Sequence, residues 1–368
     1  VTGSITPEAD PDPGLTPLAG AIRPLVELFD TGLFDLDGVV YVGADAVPRA
    51  PEELKRARAE GLRVTFVTNN ASRTPDAVID HLRKVGVAAS VDDVVTSAQA
   101  AARLVADRVP AGSRVLVVGG EGLLVAVRER GLVPVASAAD DPAAVVQGFH
   151  PSVGWRNLAE GAYALARDIP WVASNVDRTL PTDGGLAPGN GTLVEVIRLA
   201  TGKTPVIAGK PAPPLFHETV ERVGGKRPLV IGDRLDTDIE GAHAAGMPSL
   251  LVLTGVTTLD DLVAAPPNHR PTYLANDLAG LFTTHPAPRR EPNGARCGAW
   301  TATIEDASRD DGGAAGRSSR ARVRLSGSGD PMDGARALLS AVWATDDPGE
   351  IDAAEALEVL RAHRKSMG

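Results

Sequence analysis

The chain has 368 residues, with 37 Lys and Arg against 47 Asp and Glu, so its formal net charge is −10. At about 150 residues per domain this length suggests two or three domains, and 43% hydrophobic with 23% charged residues is a composition able to bury a core. The single cysteine, Cys297, excludes an intramolecular disulfide framework and a thiolate metal cluster. No apolar run approaches the roughly 18 residues of a membrane span, and the acidic balance argues against general nucleic-acid binding, which needs excess cations. The acidic, Pro-rich start is not a secretory signal, and a reducing cytoplasm is the simplest address.

Residues 1–30 read as a polar extension leading into a short apolar segment. From Gly32 a rhythm of helix, glycine and strand begins. An apolar strand carrying Asp35 and Asp37 is followed by a helix over 51–61, with Pro51 near its start and Gly61 past its end, the usual asymmetry. A β-branched strand over 63–70 ends in polar residues, and a helix over 75–86 closes at Gly86. The cadence returns as strand 112–120, helix 121–131, strand 143–149, helix 155–168 and strand 170–176. Residues 177–191 are loop chemistry throughout. A helix over 191–202 and apolar strands over 204–211, 227–233 and 248–255 follow, with helices over 216–224 and 236–246 between them. Such alternation at short spacing argues for βα units and parallel sheets. After Thr283 the composition becomes linker-like, and 306–322 is rich in Gly, Ser, Asp and Arg and reads as flexible. The last forty residues carry one strand, 322–325, and two helices, 334–345 and 353–364.

Four segments at predicted strand ends carry chemistry, where ligands bind in open α/β sheets. Asp35 and Asp37, two residues apart, fall on one side if the strand extends that far; the two carboxylates repel, and a divalent cation would offset that. Gly38 permits a sharp turn, and the plain alternative is a polar strand end. Thr68, Asn69 and Asn70 suit phosphate oxygens at a strand-to-helix junction, or simply a helix N-cap. Lys210 follows a strand and precedes Pro211; its cation would neutralise a carboxylate and a phosphate together, or it is a surface lysine. Asp233, Asp236 and Asp238 form an acidic cluster whose oxygens favour a hard ion, Mg²⁺ first, or an acidic first helical turn.

In that order, the stretches around Asp35-Leu36-Asp37-Gly38, Thr68-Asn69-Asn70, Gly209-Lys210-Pro211 and Gly232–Ile239 resemble the four motifs of the haloacid-dehalogenase superfamily of phosphatases. The roughly 140 residues between the second and third resemble the large α/β cap of the branch with nucleotide, pyridoxal-phosphate, phosphoglycolate and 4-nitrophenyl phosphatases. The resemblance covers about residues 30–280. Stretches from Val94, from Ala173 to Thr192 and from Gly232 look like the actinobacterial members acting on glycerol 3-phosphate. Two positions depart from the common pattern: Val39 stands where many superfamily members carry Thr, and His150 where relatives often carry an acid.

The resemblance implies a Rossmannoid parallel-sheet α/β core at 31–95 and 204–285 and a specificity cap at 96–203; composition gives a linker at 286–298 and a small α+β appendage at 299–368, structural or dimerising in role. It implies Asp35 as nucleophile forming an aspartyl-phosphate and Asp37 as general acid and then base. Thr68 and Asn69, with Asn70 close by, and Lys210 would hold the phosphate. Asp35, the Asp37 carbonyl, Asp233 and Asp238 would serve Mg²⁺. In the cap, Asn175 and Asp177 would read substrate hydroxyls, or merely stabilise turns. The expected substrate is a small phosphomonoester, glycerol 3-phosphate first; phosphoglycolate, a nucleoside monophosphate or pyridoxal phosphate are the alternatives. A phosphomutase, or a binding protein that kept the fold without turnover, are the other readings, and a homodimer is an expected assembly. Cys297 reads as a linker spectator, and Trp155, Trp171 and Trp300 as packing residues.

Overall fold

The computed structural model describes residues 15–182, 184–305, 321–345 and 347–367. Most of the stretch expected to be flexible, 306–320, and the first 14 residues of the N-terminal extension lie outside the described residues. The chain divides into two compact units: Asp30–Val230, and a second that takes the chain up to Phe29 and again from Ile231.

In the first unit, strands Thr31–Phe34, Arg63–Thr68 and Val94–Thr96 run parallel, with Thr31 opposite Arg63 and Phe66 opposite Val94. Thr31–Phe34 is buried throughout, the mark of a strand covered on both faces. Within this unit the sheet runs in the order Pro228–Gly232, whose first three residues belong here, then Thr31–Phe34, Arg63–Thr68, Val94–Thr96. The division between the units falls inside the strand Pro228–Gly232. Strand order reverses beside Thr31–Phe34, and open α/β sheets bind ligands outside the carboxyl ends at such a point.

The same unit contains a five-stranded parallel sheet, ordered Val206–Ile207, Trp171–Ala173, Ala144–Gln147, Arg114–Val118, Val133–Val135. Helices Trp155–Leu165 and Asn190–Thr201 cover it through Leu158, Leu165, Val194 and Ile197, which pack with Leu116, Val118, Val145 and Trp171. Trp171 packs as expected. Trp155 does not: it opens its helix and is 75% exposed. The 177–191 stretch, read as loop, contains an antiparallel hairpin, Thr179–Thr182 with Gly185–Pro188. Its described residues are mostly exposed, so no apolar alternation marked it.

In the second unit, strands Arg289–Glu291, Gly294–Cys297, Trp300–Glu305 and Arg322–Ser326 form an antiparallel sheet. The reading of 286–298 as a linker is therefore corrected. The first of these strands is an edge of three exposed charged residues, and the second alternates small ones, so neither shows an apolar period. Ala295, Cys297, Trp300, Ala302, Val323 and Leu325 point to one buried face, which packs against helix Pro331–Val342. That core continues without a break through Leu338, Leu339 and Val342 to Leu251, Leu262 and Leu274. Trp343 Nε1 donates to the Leu262 carbonyl at 2.9 Å, and Arg336 Nη2 to that of Leu274 at 2.8 Å. Cys297 is thus a core residue, and burial pushes its thiol up to about 12.

His285 is buried in this unit. Its Nε2 faces the Gly280 carbonyl at 2.8 Å and its Nδ1 faces Arg336 Nη2 at 3.3 Å. A carbonyl needs a donor and a guanidinium needs an acceptor, so the partners select the neutral Nε2–H tautomer. Burial brings the pKa down to about 4.

Two outcomes follow. A chain ended at Pro286 would expose the apolar faces of Leu251, Leu262 and Leu274, and should aggregate or lose its cooperative melt in calorimetry; an unchanged melting temperature would contradict the shared core. Because His285 binds its proton more weakly when folded, its stabilising contribution is intact above pH 6.5 and is lost as pH falls toward 4, by about 3 kcal/mol at most. Urea melts at pH 7 and 5 should show that slope flattened in His285→Asn.

Candidate active site

The strand Thr31–Phe34 stops one residue before Asp35, so strand alternation is not what orients the two carboxylates; that expectation is corrected. A tight turn does the work instead. Val40 and Tyr41 N–H groups donate to the Leu36 carbonyl, and Gly38 N–H to that of Tyr41 at 2.8 Å. Gly38 sits at φ +82°, which a side chain would strain. Asp35 ends up largely enclosed and Asp37 exposed. Burial raises the Asp35 carboxyl, against the downward pull of Lys210. Burial raises the Asp37 carboxyl too, opposed by Lys210 and Arg73. A carboxyl whose proton is held more tightly than usual is better suited to donate it.

Lys210 is 3% exposed, and its Nζ donates to Asp35 Oδ1 at 2.5 Å and to the Val67 carbonyl at 3.3 Å. The surface-lysine alternative is thereby removed. Thr68, at the end of its strand, accepts the Asn70 N–H at 3.1 Å, which leaves its hydroxyl proton to point elsewhere. Asn70 Oδ1 accepts from Ser72 and Arg73 N–H at 2.9 and 3.1 Å, so this side chain shapes the turn.

Asn69 is the hub. Its Oδ1 accepts the Lys210 N–H at 2.8 Å, and its Nδ2 donates to the Lys210 carbonyl at 3.1 Å and toward both Asp177 carboxylate oxygens at 3.3 and 3.4 Å. The side-chain amide is engaged within the protein. Asn175 is 5% exposed. Its Nδ2 donates to the Asn69 carbonyl at 2.7 Å and its Oδ1 accepts the Asp177 N–H at 3.3 Å, so both ends of the amide bind protein. Sequence reasoning missed Ser97, whose Oγ donates to the same Asn69 carbonyl at 2.6 Å.

Downstream of Pro228–Gly232, Asp233 and Asp238 are fully buried. A single π-type turn, Leu235–Ile239, spans between them, with the Asp238 and Ile239 N–H groups both reaching the Arg234 carbonyl. Such turns mark functional positions. Asp236 is turned outward, paired with Arg234 at 2.9 Å. Asp233 Oδ2 accepts the Val256 N–H at 2.7 Å. Asp233 and Asp238, two fully buried carboxylates five positions apart, suit a hard divalent cation, which would offset their repulsion.

The sequence profile of the haloacid dehalogenase-like hydrolases matches residues 32–133, and a second profile of that kind matches 207–281. The chain is 50% identical over 260 residues to the D-glycerol 3-phosphate phosphatase of Mycobacterium tuberculosis, covering 71% of this chain and 73% of that protein. It is 35% identical over 248 residues to an acid sugar phosphatase of Staphylococcus aureus, covering 67% and 94%. The chain belongs to the haloacid dehalogenase-like hydrolases. Among solved structures of this family, a glycerol phosphate phosphatase of Mycobacterium tuberculosis in complex with magnesium superposes with TM-score 0.79 at 43% identity, over 93% of this chain and 99% of that one. In this hydrolase the Asp35–Lys210 pair unites two segments 175 positions apart.

Lys210→Met tests that pairing. It leaves Asp35 in a buried site without its cation, which should cost about 3–5 kcal/mol at neutral pH. The loss should shrink as pH falls and Asp35 takes up a proton, read from urea melts at pH 7.5 and 5. A variant as stable as wild type at pH 7.5 would mean the pair carries no weight.

Proposed function

We propose that this hydrolase is a Mg²⁺-dependent phosphomonoesterase working through an aspartyl-phosphate on Asp35, with glycerol 3-phosphate as its substrate. The observation that carries the reading is the enclosed Asp35 with Lys210 Nζ at 2.5 Å. The 50% identity to a D-glycerol 3-phosphate phosphatase supports the substrate.

A carboxylate approaching a phosphate dianion meets electrostatic repulsion, and phosphoryl transfer is mostly positioning and charge neutralisation. Asp35 Oδ attacks phosphorus while the bond to the ester oxygen breaks. Asp37 donates its proton to that leaving oxygen, then takes one from the water that cleaves the aspartyl-phosphate. Lys210 balances Asp35, and the Thr68 hydroxyl donates to a phosphoryl oxygen. Asp35, Asp233 and Asp238, with the Asp37 carbonyl, would hold the cation, and Mg²⁺ there would supply charge neutralisation for the phosphate.

The reading of phosphoglycolate, nucleoside monophosphates or pyridoxal phosphate as substrates ranks below, with nothing in the site favouring them. We extend the proposal to a cap formed by 96–203 on a core of 31–95 and 204–285, and to a cytoplasmic address, which suits a chain with one buried cysteine. No helix among the described residues is long and apolar enough to cross a membrane. A homodimer is also proposed, supported by the exposed Trp155, Tyr163 and Leu199 and tested by sedimentation equilibrium.

A steady-state panel of phosphomonoesters with Mg²⁺ should rank glycerol 3-phosphate first by kcat/KM, and EDTA should abolish turnover reversibly. Asp35→Asn should lose all measurable turnover with its melting temperature kept, because an amide does not attack phosphorus. Activity above a tenth of wild type, about 1.4 kcal/mol of barrier, would overturn the assignment of Asp35.

A further inference from the structure

The cap-side loop that follows strand Trp171–Ala173 is held from two directions. On one side, Gly191 N–H donates to the Asp177 carbonyl at 2.9 Å and Gly189 N–H to that of Arg178 at 2.8 Å. Thr192 Oγ1 donates to the same Arg178 carbonyl at 2.7 Å. A Cβ on Gly191 would stand 2.1 Å from the Val176 carbonyl oxygen, and one on Gly189 2.3 Å from that of Asp177. On the other side lies Asn69, through the Asn175 and Asp177 contacts described above.

Between them sits Asn190, the first residue of helix Asn190–Thr201. It is 1% exposed, and its Nδ2 donates to the Asn175 carbonyl at 2.7 Å. The partner is a carbonyl, so the amide nitrogen must face it. The Oδ1 of the same side chain is buried with no hydrogen-bond partner among the described atoms. A buried amide with one end unsatisfied is costly in a core, so packing alone does not account for an asparagine here. Its single bond completes a series of amides: Asn190 to Asn175, Asn175 to Asn69, Asn69 to the backbone of Lys210.

We propose that Asn190 is a positioning residue for the phosphoryl-transfer site: it fixes Asn175, which fixes Asn69, which in turn sets the Lys210 backbone and hence where Nζ meets Asp35. Asn190 itself is not placed in contact with substrate. Asn175 thereby takes a positioning role in place of hydroxyl recognition. The assignment rests on the phosphatase reading, and it adds a residue that acts through Asn69. Small displacements of catalytic groups are enough for large rate losses, so the relay predicts a loss in kcat more than in KM.

The experiment uses the full chain with Mg²⁺ and glycerol 3-phosphate, and hydrogen exchange in the absence of substrate. Asn190→Ala should lower kcat by about tenfold or more with KM changed less than about threefold, and should speed exchange in peptides spanning Gly209–Ala212, where Lys210 N–H is bonded to Asn69 Oδ1. Asn190→Asp keeps the side-chain size while replacing the donor, and gives the same readings if the alanine variant does not fold. The double variant Asn69→Ala/Asn190→Ala should be no slower than Asn69→Ala alone. Multiplying losses, or exchange around Lys210 equal to wild type in the Asn190 variants, would overturn the relay. Absence of turnover in the wild-type chain would instead defeat the phosphatase reading, and the exchange measurement would still decide the relay.

Discussion

A carboxylate taken out of water must have its charge answered nearby, because the desolvation of an ion costs several kcal/mol. Asp35 is such a carboxylate, and Lys210 answers it. Much of the surrounding structure follows from bringing these two groups together. The turn at Gly38 leaves Asp35 enclosed while Asp37 reaches solvent. The Lys210 backbone is locked to Asn69 in both directions, as donor and acceptor. Mutual attraction alone would leave the lysine stem free to wander; the amide bonds of Asn69 remove that freedom.

The same amide network explains why a loop full of Gly, Pro and Asn is ordered at all. Loops need their backbone groups satisfied: the carbonyls of Asn175, Asp177 and Arg178 accept from Asn190, Gly191, and Gly189 with Thr192, and the Asp177 N–H donates to Asn175 Oδ1. The glycines matter by absence of bulk: the backbones of 176–177 and 189–191 approach too closely for a Cβ. Hydroxyl recognition and loop ordering draw on the same residue types, and Asn175 serves the second.

In the other unit, the antiparallel sheet from Arg289 onward is not an accessory tied on by a tether. Its inward residues and those of helix Pro331–Val342 share one apolar core with strands Ser249–Val252 and Tyr273–Ala275. Arg336 shows how closely they are joined. It is 6% exposed, and its guanidinium answers Asp333 at 2.8 Å, the Leu274 carbonyl and His285. A buried guanidinium needs acceptors, and Leu274 and His285 supply two of them from outside its own helix.

The sequence alone determined the alternation of parallel strands and helices, since apolar runs bounded by glycine are a local signal. It also singled out Asp35, Asp37, Thr68, Lys210, Asp233 and Asp238 as candidates, because such residues at successive strand ends, in that order, match a family pattern. The edge strand Arg289–Glu291 and the hairpin at 179–188 were illegible, because exposed strands carry no apolar period. Only the tertiary structure decided which polar groups are engaged with protein. Asn69 and Asn175 are alike in residue type and in loop setting to Asn70, and what sets them apart is the partner that long-range folding brings against each. A hydrogen-bond partner over a hundred positions away leaves no trace in local sequence.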